Sequence, residues 1–260
     1  MRQGAPEVKG ERDPEEASVT EEDGANDGLL FQQDQVVAER YRTLAWMLDQ
    51  SREQRGCQVI TITSSGPGEG KSTLSLNLAA VLSERAPNRT VVLELDMRCP
   101  TLSETLTVKE PGIDAVLSGR VKLEDALRFS ERWQFAYVPV THPVEDPLKL
   151  LADTNGLKKT ITDARACFDY VLLDAPPVLP VSDPLFLAEE SDGILFVVRA
   201  GETSGRMIDR AIAVLPREKI LGLVFNGTAQ TSNYYYSAYY GHGAKYSRSG
   251  RKKHRRKSGH

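Results

Sequence analysis

The run S-S-G-P-G-E-G-K-S-T at Ser64–Thr73 carries the clearest chemistry of this 260-residue sequence. Gly66, Gly68 and Gly70 permit backbone dihedrals that turn N–H groups inward around anionic oxygens. Pro67 and Glu69 stand between these glycines. Lys71 supplies a point charge for the β- and γ-phosphates of a nucleotide, and the Ser72 hydroxyl is placed to ligate Mg²⁺. Ser72 and Thr73 open a helix whose N-terminal dipole favours an anion. The strict pattern G-x-x-x-x-G-K-[ST] is not met, because its first glycine falls on Ser65. The bland alternative is a Gly/Pro turn with a surface lysine. A strand before the loop and a helix after it argue against that.

A phosphate loop needs acidic groups to hold the metal and to handle the nucleophile. Two strand ends supply them. Asp174 ends V-L-L in D-Y-V-L-L-D-A-P-P, and Glu94 and Asp96 end V-V-L in V-V-L-E-L-D-M-R. Residues two apart on a strand share one face, so both carboxylates of the second pair can address one pocket. Taken singly, Asp174 also reads as a strand-end turn residue and Glu94/Asp96 as a solvated strand end. All three sites, each after an apolar strand, point to one nucleotide–metal centre.

The elements that must position these residues follow from periodicity. Val36, Val37, Tyr41, Leu44 and Leu48 recur at helical spacing. Apolar runs predict strands at Gln58–Thr63, Thr90–Leu95, Phe135–Pro139, Asp169–Asp174, Gly193–Arg199 and Ile220–Phe225. Helices are predicted at Ser72–Arg85, Ile113–Ser118, Leu123–Phe129, Leu157–Ala166 and Thr203–Leu215. This alternation predicts an α/β fold with a mostly parallel central sheet and helices on both faces. Ligands in such sheets bind at the carboxyl ends of the strands, where the motifs fall.

Composition bounds the rest. There are 33 Lys+Arg against 36 Asp+Glu, a formal net charge of -3, which gives no reason to expect a nucleic-acid partner. Mean hydropathy is -0.37, and no apolar run is long enough to span a membrane. No basic segment followed by an apolar one marks a signal peptide near the N-terminus. Cys57, Cys99 and Cys167 are too few and too scattered for a disulfide framework or a zinc site. The expectation is a cytoplasmic protein. Residues 1–28 hold nine acids and three bases and predict a disordered acidic tail. No Ile, Leu, Val, Met, Phe or Trp follows Phe225, so the folded domain is expected over 29–226. Residues 227–260 read as a second tail, whose last part, 245–260, holds eight Lys/Arg and no acid.

The set S-S-G-P-G-E-G-K-S-T, L-E-L-D-M-R-C-P and V-L-L-D-A-P-P-V-L-P-V-S-D resembles the bacterial tyrosine kinases, with the MinD/ParA-like P-loop ATPases as broader relatives. The likeness runs from about Val37 to Tyr246. MinD/ParA-type ATPases usually carry a lysine where this chain has Gly66, which favours the kinase branch. A second mark is the tail: Tyr234, Tyr235, Tyr236, Tyr239, Tyr240 and Tyr246 lie among Ser, Gly and Asn. Without the resemblance, such a run also reads as a stacking surface for sugars or bases, or as a segment that folds on binding. With it, these tyrosines are the phosphoacceptors of autophosphorylation, each phosphate adding about -1.5 to -2 charges.

The resemblance implies roles by position. Lys71 and the loop amides hold ATP, and Ser72, Asp96 and Asp174 hold Mg²⁺. Glu94 is the favoured acceptor of the tyrosine proton, with Asp96 as the alternative. Arg98 orients the acidic cluster or a phosphate, or forms a plain salt bridge. Asn226 contacts the base, or is a strand-end turn residue.

Two departures stand out. Glu94 replaces the family's usual aspartate and is one methylene longer, and a misplacement of ~1 Å can cost ~10²-fold in rate. The family's ring-forming segment E-x-x-R-x-x-R-x-N is matched by Glu39 and Arg42, but Ala45 and Met47 replace the second arginine and the asparagine. The ring-forming motif is therefore incomplete, and self-association is left open. Trp46 and Met47 read as an apolar contact or as core residues.

The resemblance further implies a role in exopolysaccharide or capsule synthesis and export. It also implies a membrane polysaccharide co-polymerase as activator, a tyrosine phosphatase as counterpart, and recruitment to the inner face of the membrane. The basic end reads first as a solvated charge run, second as a membrane contact worth ~1 kcal/mol per basic residue near an anionic surface, and last as a nucleic-acid contact. The competing functions are a switch ATPase of the MinD/ParA type and a catalytically weak, kinase-like scaffold.

Overall fold

The computed structural model describes residues 34–87, 89–152 and 154–228. The acidic segment 1–28, the six tyrosines of the tail and the basic end 245–260 lie outside the described residues.

The described residues open with α1 (Gln35–Arg55). The Asp34 side chain caps it by accepting the Val36 N–H at 2.7 Å, and Gly56 ends it at φ +71°. Then come β1 (Val59–Ser64), α2 (Lys71–Ser83), β2 (Thr90–Glu94), α3 (Ile113–Leu117) and α4 (Leu123–Ala126). Next are β3 (Arg128–Ser130), β4 (Phe135–Val138), α5 (Leu148–Ala152), α6 (Thr154–Cys167) and β5 (Tyr170–Asp174). The remainder is α7 (Asp183–Glu190), β6 (Gly193–Arg199), α8 (Gly205–Val214) and β7 (Ile220–Asn226). Seven strands form one sheet in the order β3-β4-β2-β5-β1-β6-β7. Every pair is parallel except β3–β4 at one edge.

Side chains alternate across this sheet, and both faces are dry. Ile60, Ile62, Val92, Leu172, Leu195 and Val197 pack with α1 and α2. Val59, Val91, Leu93, Val171 and Leu173 pack on the other face with Ile113, Leu157, Ile161 and Leu187. Fully burying each such side chain contributes ~1.5–3 kcal/mol before the entropy of ordering is subtracted. Burial on both faces explains why these strands read as unbroken apolar runs. α2 is buried almost all round, since it lies between the sheet and α1.

Three sequence expectations are corrected. The helix expected over Leu123–Phe129 stops at Ala126, where Leu127 turns to an extended conformation. Arg128–Ser130 then pairs antiparallel with β4. α5 and α7 were not foreseen; α7 carries Pro184 in its first turn, where proline is tolerated but reads as a breaker. Trp46 and Met47 do not face the core, being 55% and 56% exposed, whereas Ala45 is fully buried. Glu39 and Arg42 pair with each other at 2.8 Å, and Arg42 also reaches Glu84. No described helix is long and apolar enough to cross a membrane.

Candidate functional site

The ends of β1, β2 and β5 meet at one edge of the sheet, where Glu94 and Asp174 are register partners and Ile62 lies beside Asp174. The loop between β1 and α2 covers these ends. Gly68 and Gly70 take φ values of +73° and +95° there, in the left-handed region that glycine enters without strain. A cleft of about 380 Å³ opens over the loop. Pro67, Gly68, Gly70, Lys71, Ser72 and Thr73 line one side, and Asp96, Cys99, Thr101 and Thr105 line the other.

Lys71 is 7% exposed and faces a set of carboxylates. Its ammonium draws down both the Asp96 and the Asp174 carboxyls. For Asp96 burial is the larger effect and leaves the group above its usual range, against Lys71 and the Cys99 N–H that Oδ1 accepts at 3.2 Å. Asp174 is completely buried, which pushes its pKa up to about 7 against the pull of Ser72, Lys71 and Ser75. Its Oδ1 lies 3.1 Å from the Ser75 hydroxyl, and its Oδ2 is buried with no hydrogen bond of its own, beside Ser72.

Such a donor set fits magnesium. Mg²⁺ is held through one or two carboxylates and fills its shell with phosphate and water. The unfilled oxygen of Asp174 and the cleft-facing Asp96 supply that number, and the Ser72 hydroxyl adds a neutral oxygen. Among the described residues no cluster of three or more His, Cys, Asp or Glu stands ready for a metal.

Glu94 is not presented to the cleft. It is fully buried, and both its oxygens are taken. Oε1 accepts the Thr101 and Leu102 N–H groups at 2.6 and 2.8 Å, and Oε2 accepts the Val140 N–H at 2.8 Å. The extra methylene is used to reach backbone amides. Burial pushes its pKa up, while these three amides favour the ionised form. Glu94, the favoured proton acceptor, thus lies away from the cleft with both oxygens engaged, whereas Asp96, the alternative, lines it.

The loop residues divide in the same way. Pro67, Gly68, Gly70, Lys71, Ser72 and Thr73 line the cleft, whereas Glu69 turns away from it. The Glu69 carboxylate accepts the Ser65 N–H at 2.9 Å and the Thr203 hydroxyl at 2.7 Å. Gly66 lies under Met207, whose Cε would be 3.5 Å from a Cβ at that position. Asn226 packs on the loop, its Nδ2 donating to the Glu69 carbonyl at 3.0 Å. Arg98 forms a two-pronged pair with the buried Asp183, at 3.0 and 3.3 Å. That is the salt-bridge reading of this residue.

Sequence reasoning missed Thr101, whose hydroxyl donates to Ser72 Oγ at 2.7 Å. It also missed Ser75, which sits one turn beyond Ser72 on α2 and so faces Asp174. The helical spacing held that signal for Ser75. Thr101 had none, because only the fold brings its loop to α2.

Comparison with known proteins agrees with this geometry. A family model described as an AAA domain matches residues 57–209, more than half of the chain. The chain is 29% identical over 207 residues to the tyrosine-protein kinase YwqD of Bacillus subtilis, covering 78% of this chain and 86% of that one. It is 30% identical over 175 residues to the tyrosine-protein kinase CpsD of Streptococcus agalactiae, covering 65% and 74%. The succinoglycan biosynthesis transport protein ExoP of Rhizobium meliloti is 32% identical over 199 residues, but this chain spans only 25% of its length. Among solved structures, the BceF tyrosine kinase domain superposes with a TM-score of 0.67 at 29% identity, covering 74% of this chain and 77% of that one. A phosphate loop at the end of β1, carboxylates at the ends of β2 and β5, and these relatives together place the chain in the bacterial tyrosine-kinase family of P-loop enzymes.

Proposed function

We propose that this chain transfers the γ-phosphoryl group of ATP to tyrosine hydroxyls, its own C-terminal cluster first among them. The observation that carries this reading is the convergence of Lys71, Ser72 and Asp96 on one cleft, backed by the buried Asp174. The loop amides and Lys71 hold the β- and γ-phosphates. Ser72 and Asp174 would hold magnesium directly and Asp96 through a water of its shell; the ion would neutralise phosphate charge and orient the γ-phosphoryl group. The tyrosine oxygen forms a bond to the γ-phosphorus as the bond to the β–γ bridging oxygen breaks, and ADP leaves. Asp96 accepts the tyrosine proton. Its burial raises its proton affinity, which suits a carboxylate for that task.

The acceptors in this reading are Tyr234, Tyr235, Tyr236, Tyr239, Tyr240 and Tyr246. A tyrosine phosphatase removes these phosphates by hydrolysis, releasing inorganic phosphate and free tyrosine. A membrane polysaccharide co-polymerase activates the chain and draws it to the inner face of the membrane, where it regulates exopolysaccharide export. The likeness to ExoP supports this setting, although this chain matches a quarter of that protein.

Intact-mass spectra test the proposal. The purified protein is measured before and after phosphatase treatment, with Mg²⁺-ATP, and with the cytoplasmic segment of a candidate activator. A Lys71→Met variant is run in parallel. A ladder of phosphate additions confined to the 234–246 peptide, and missing from the variant, is the expected result. Bound ATP with no phosphotyrosine under any condition would overturn it.

A further inference from the structure

The phosphate loop contains a carboxylate, although its ligand is a polyanion. Like charges repel at short range, so a glutamate in this loop weakens binding unless it is held away and its oxygens are satisfied. Glu69 meets both conditions. It is 5% exposed and does not line the cleft. Oε2 accepts the Ser65 N–H within the loop, at 2.9 Å. Oε1 accepts the Thr203 hydroxyl, from the turn between β6 and α8, at 2.7 Å.

Thr203 is fixed in turn. Its Oγ1 accepts the Arg199 N–H at the end of β6, at 3.1 Å, which leaves its one hydrogen for Glu69. The turn itself is set by Gly201 at φ +79°. On the other side of the loop the Glu69 carbonyl accepts from Asn226 at the end of β7. Glu69 is thus the point where the loop is tied to the last two strands, and Thr203 is the tie that aims its charge.

We propose that Thr203 is a positioning residue of the nucleotide site: its hydroxyl holds the Glu69 carboxylate on the outer side of the phosphate loop, where it orders the Ser65 amide without opposing the phosphates. This rests on the reading of the cleft as a nucleoside-triphosphate site. Thr203 touches no phosphate itself. Loss of its hydroxyl frees the carboxylate to swing, and the effect scales with the charge at position 69.

The test is a double-mutant cycle read by calorimetric titration of the full chain with Mg²⁺-ATP. Thr203→Val is expected to weaken ATP binding about tenfold, equivalent to ~1.4 kcal/mol. Thr203→Ser, which keeps the hydroxyl, is expected to stay within about twofold of the parent chain. In a Glu69→Gln background, Thr203→Val is expected to cost less than about twofold, since no charge remains to be aimed. An equal loss in both backgrounds would show that Thr203 acts by packing alone and would overturn the inference. So would parent-like affinity of Thr203→Val. Because the titration reads nucleotide and not phosphotyrosine, a chain that binds ATP in this pattern yet phosphorylates nothing sinks the kinase reading and leaves this one standing.

Discussion

Glu94 Oε1 accepts the Thr101 N–H at 2.6 Å, so the residue that ends β2 holds the loop that reaches Ser72. The same carboxylate holds Leu102 and Val140. An aspartate here is one methylene shorter and cannot satisfy all three amides from the same backbone. Each stranded buried N–H costs ~1–3 kcal/mol. Glu94→Asp should therefore lower the unfolding free energy in urea by ~1–3 kcal/mol, with the denaturant slope unchanged. Glu94→Ala should cost more. Parent-like stability of both variants would show that the three amides do not depend on this side chain.

Gly70 and Asn226 make a second linked pair. Gly70 has φ +95°, and a Cβ there would overlap the Asn226 amide nitrogen. Gly70→Ala then suffers both left-handed backbone strain, ~1–2 kcal/mol, and displacement of Asn226 from the Glu69 carbonyl. ATP affinity should fall by more than about tenfold. Adding Asn226→Ala removes the overlap but not the strain, so it should restore part of the loss. Titration of the two variants with ATP checks this. No recovery at all in the pair would mean that backbone strain alone sets the loss.

The two pairs show where sequence reasoning reaches its limit. β1, β2, β5 and β6 were legible because burial on both faces leaves an apolar run with a turn signal after it. The phosphate loop was legible because glycine spacing and Lys71 are local. β3 was not, since three residues become a strand only through pairing with β4. Glu94 was seen as a carboxylate at a strand end, which is correct. Its partners lie 7, 8 and 46 residues away, on loops whose course no local pattern encodes. Thr203 and Thr101 are ordinary loop threonines until the fold brings them to Glu69 and Ser72.

Arg98 offers a test of charge burial at the rim of the site. Asp183 is fully buried, and Arg98, with its side chain 32% exposed, is its ion-pair partner. Removing one member of a buried pair strands the other, at ~3–5 kcal/mol. Arg98→Leu should fall at the lower end of that range, because water reaches the guanidinium side. Arg98→Leu/Asp183→Asn should recover part of the loss, since no charge is left to desolvate. Thermal unfolding of the three proteins decides it. A double variant less stable than Arg98→Leu would indicate that Asp183 is held chiefly by other groups.

Asp192 makes stability depend on pH. It accepts the Gln58 and Val59 N–H groups at 2.9 and 2.8 Å and a two-pronged bond from Arg165 at 2.8 and 2.6 Å, which ties α6 to the start of β1. Burial pushes its carboxyl up, but the Arg165 guanidinium and the two amides outweigh burial and hold it below the usual carboxylate range. The unfolded chain therefore takes up this proton at a higher pH than the folded one. The stabilisation is fully present above the ordinary aspartate pKa of about 3.9 and is lost as pH falls through the lower folded value. Asp192→Asn should cost ~1.5–3 kcal/mol at pH 7, the worth of a charged hydrogen bond in a partly buried site. Below pH ~4 the difference between parent and variant should shrink. Urea unfolding of both proteins between pH 3 and pH 7 measures it. A gap that stays constant down to pH 3 would mean that the Arg165–Asp192 pair acts through shape and not through charge.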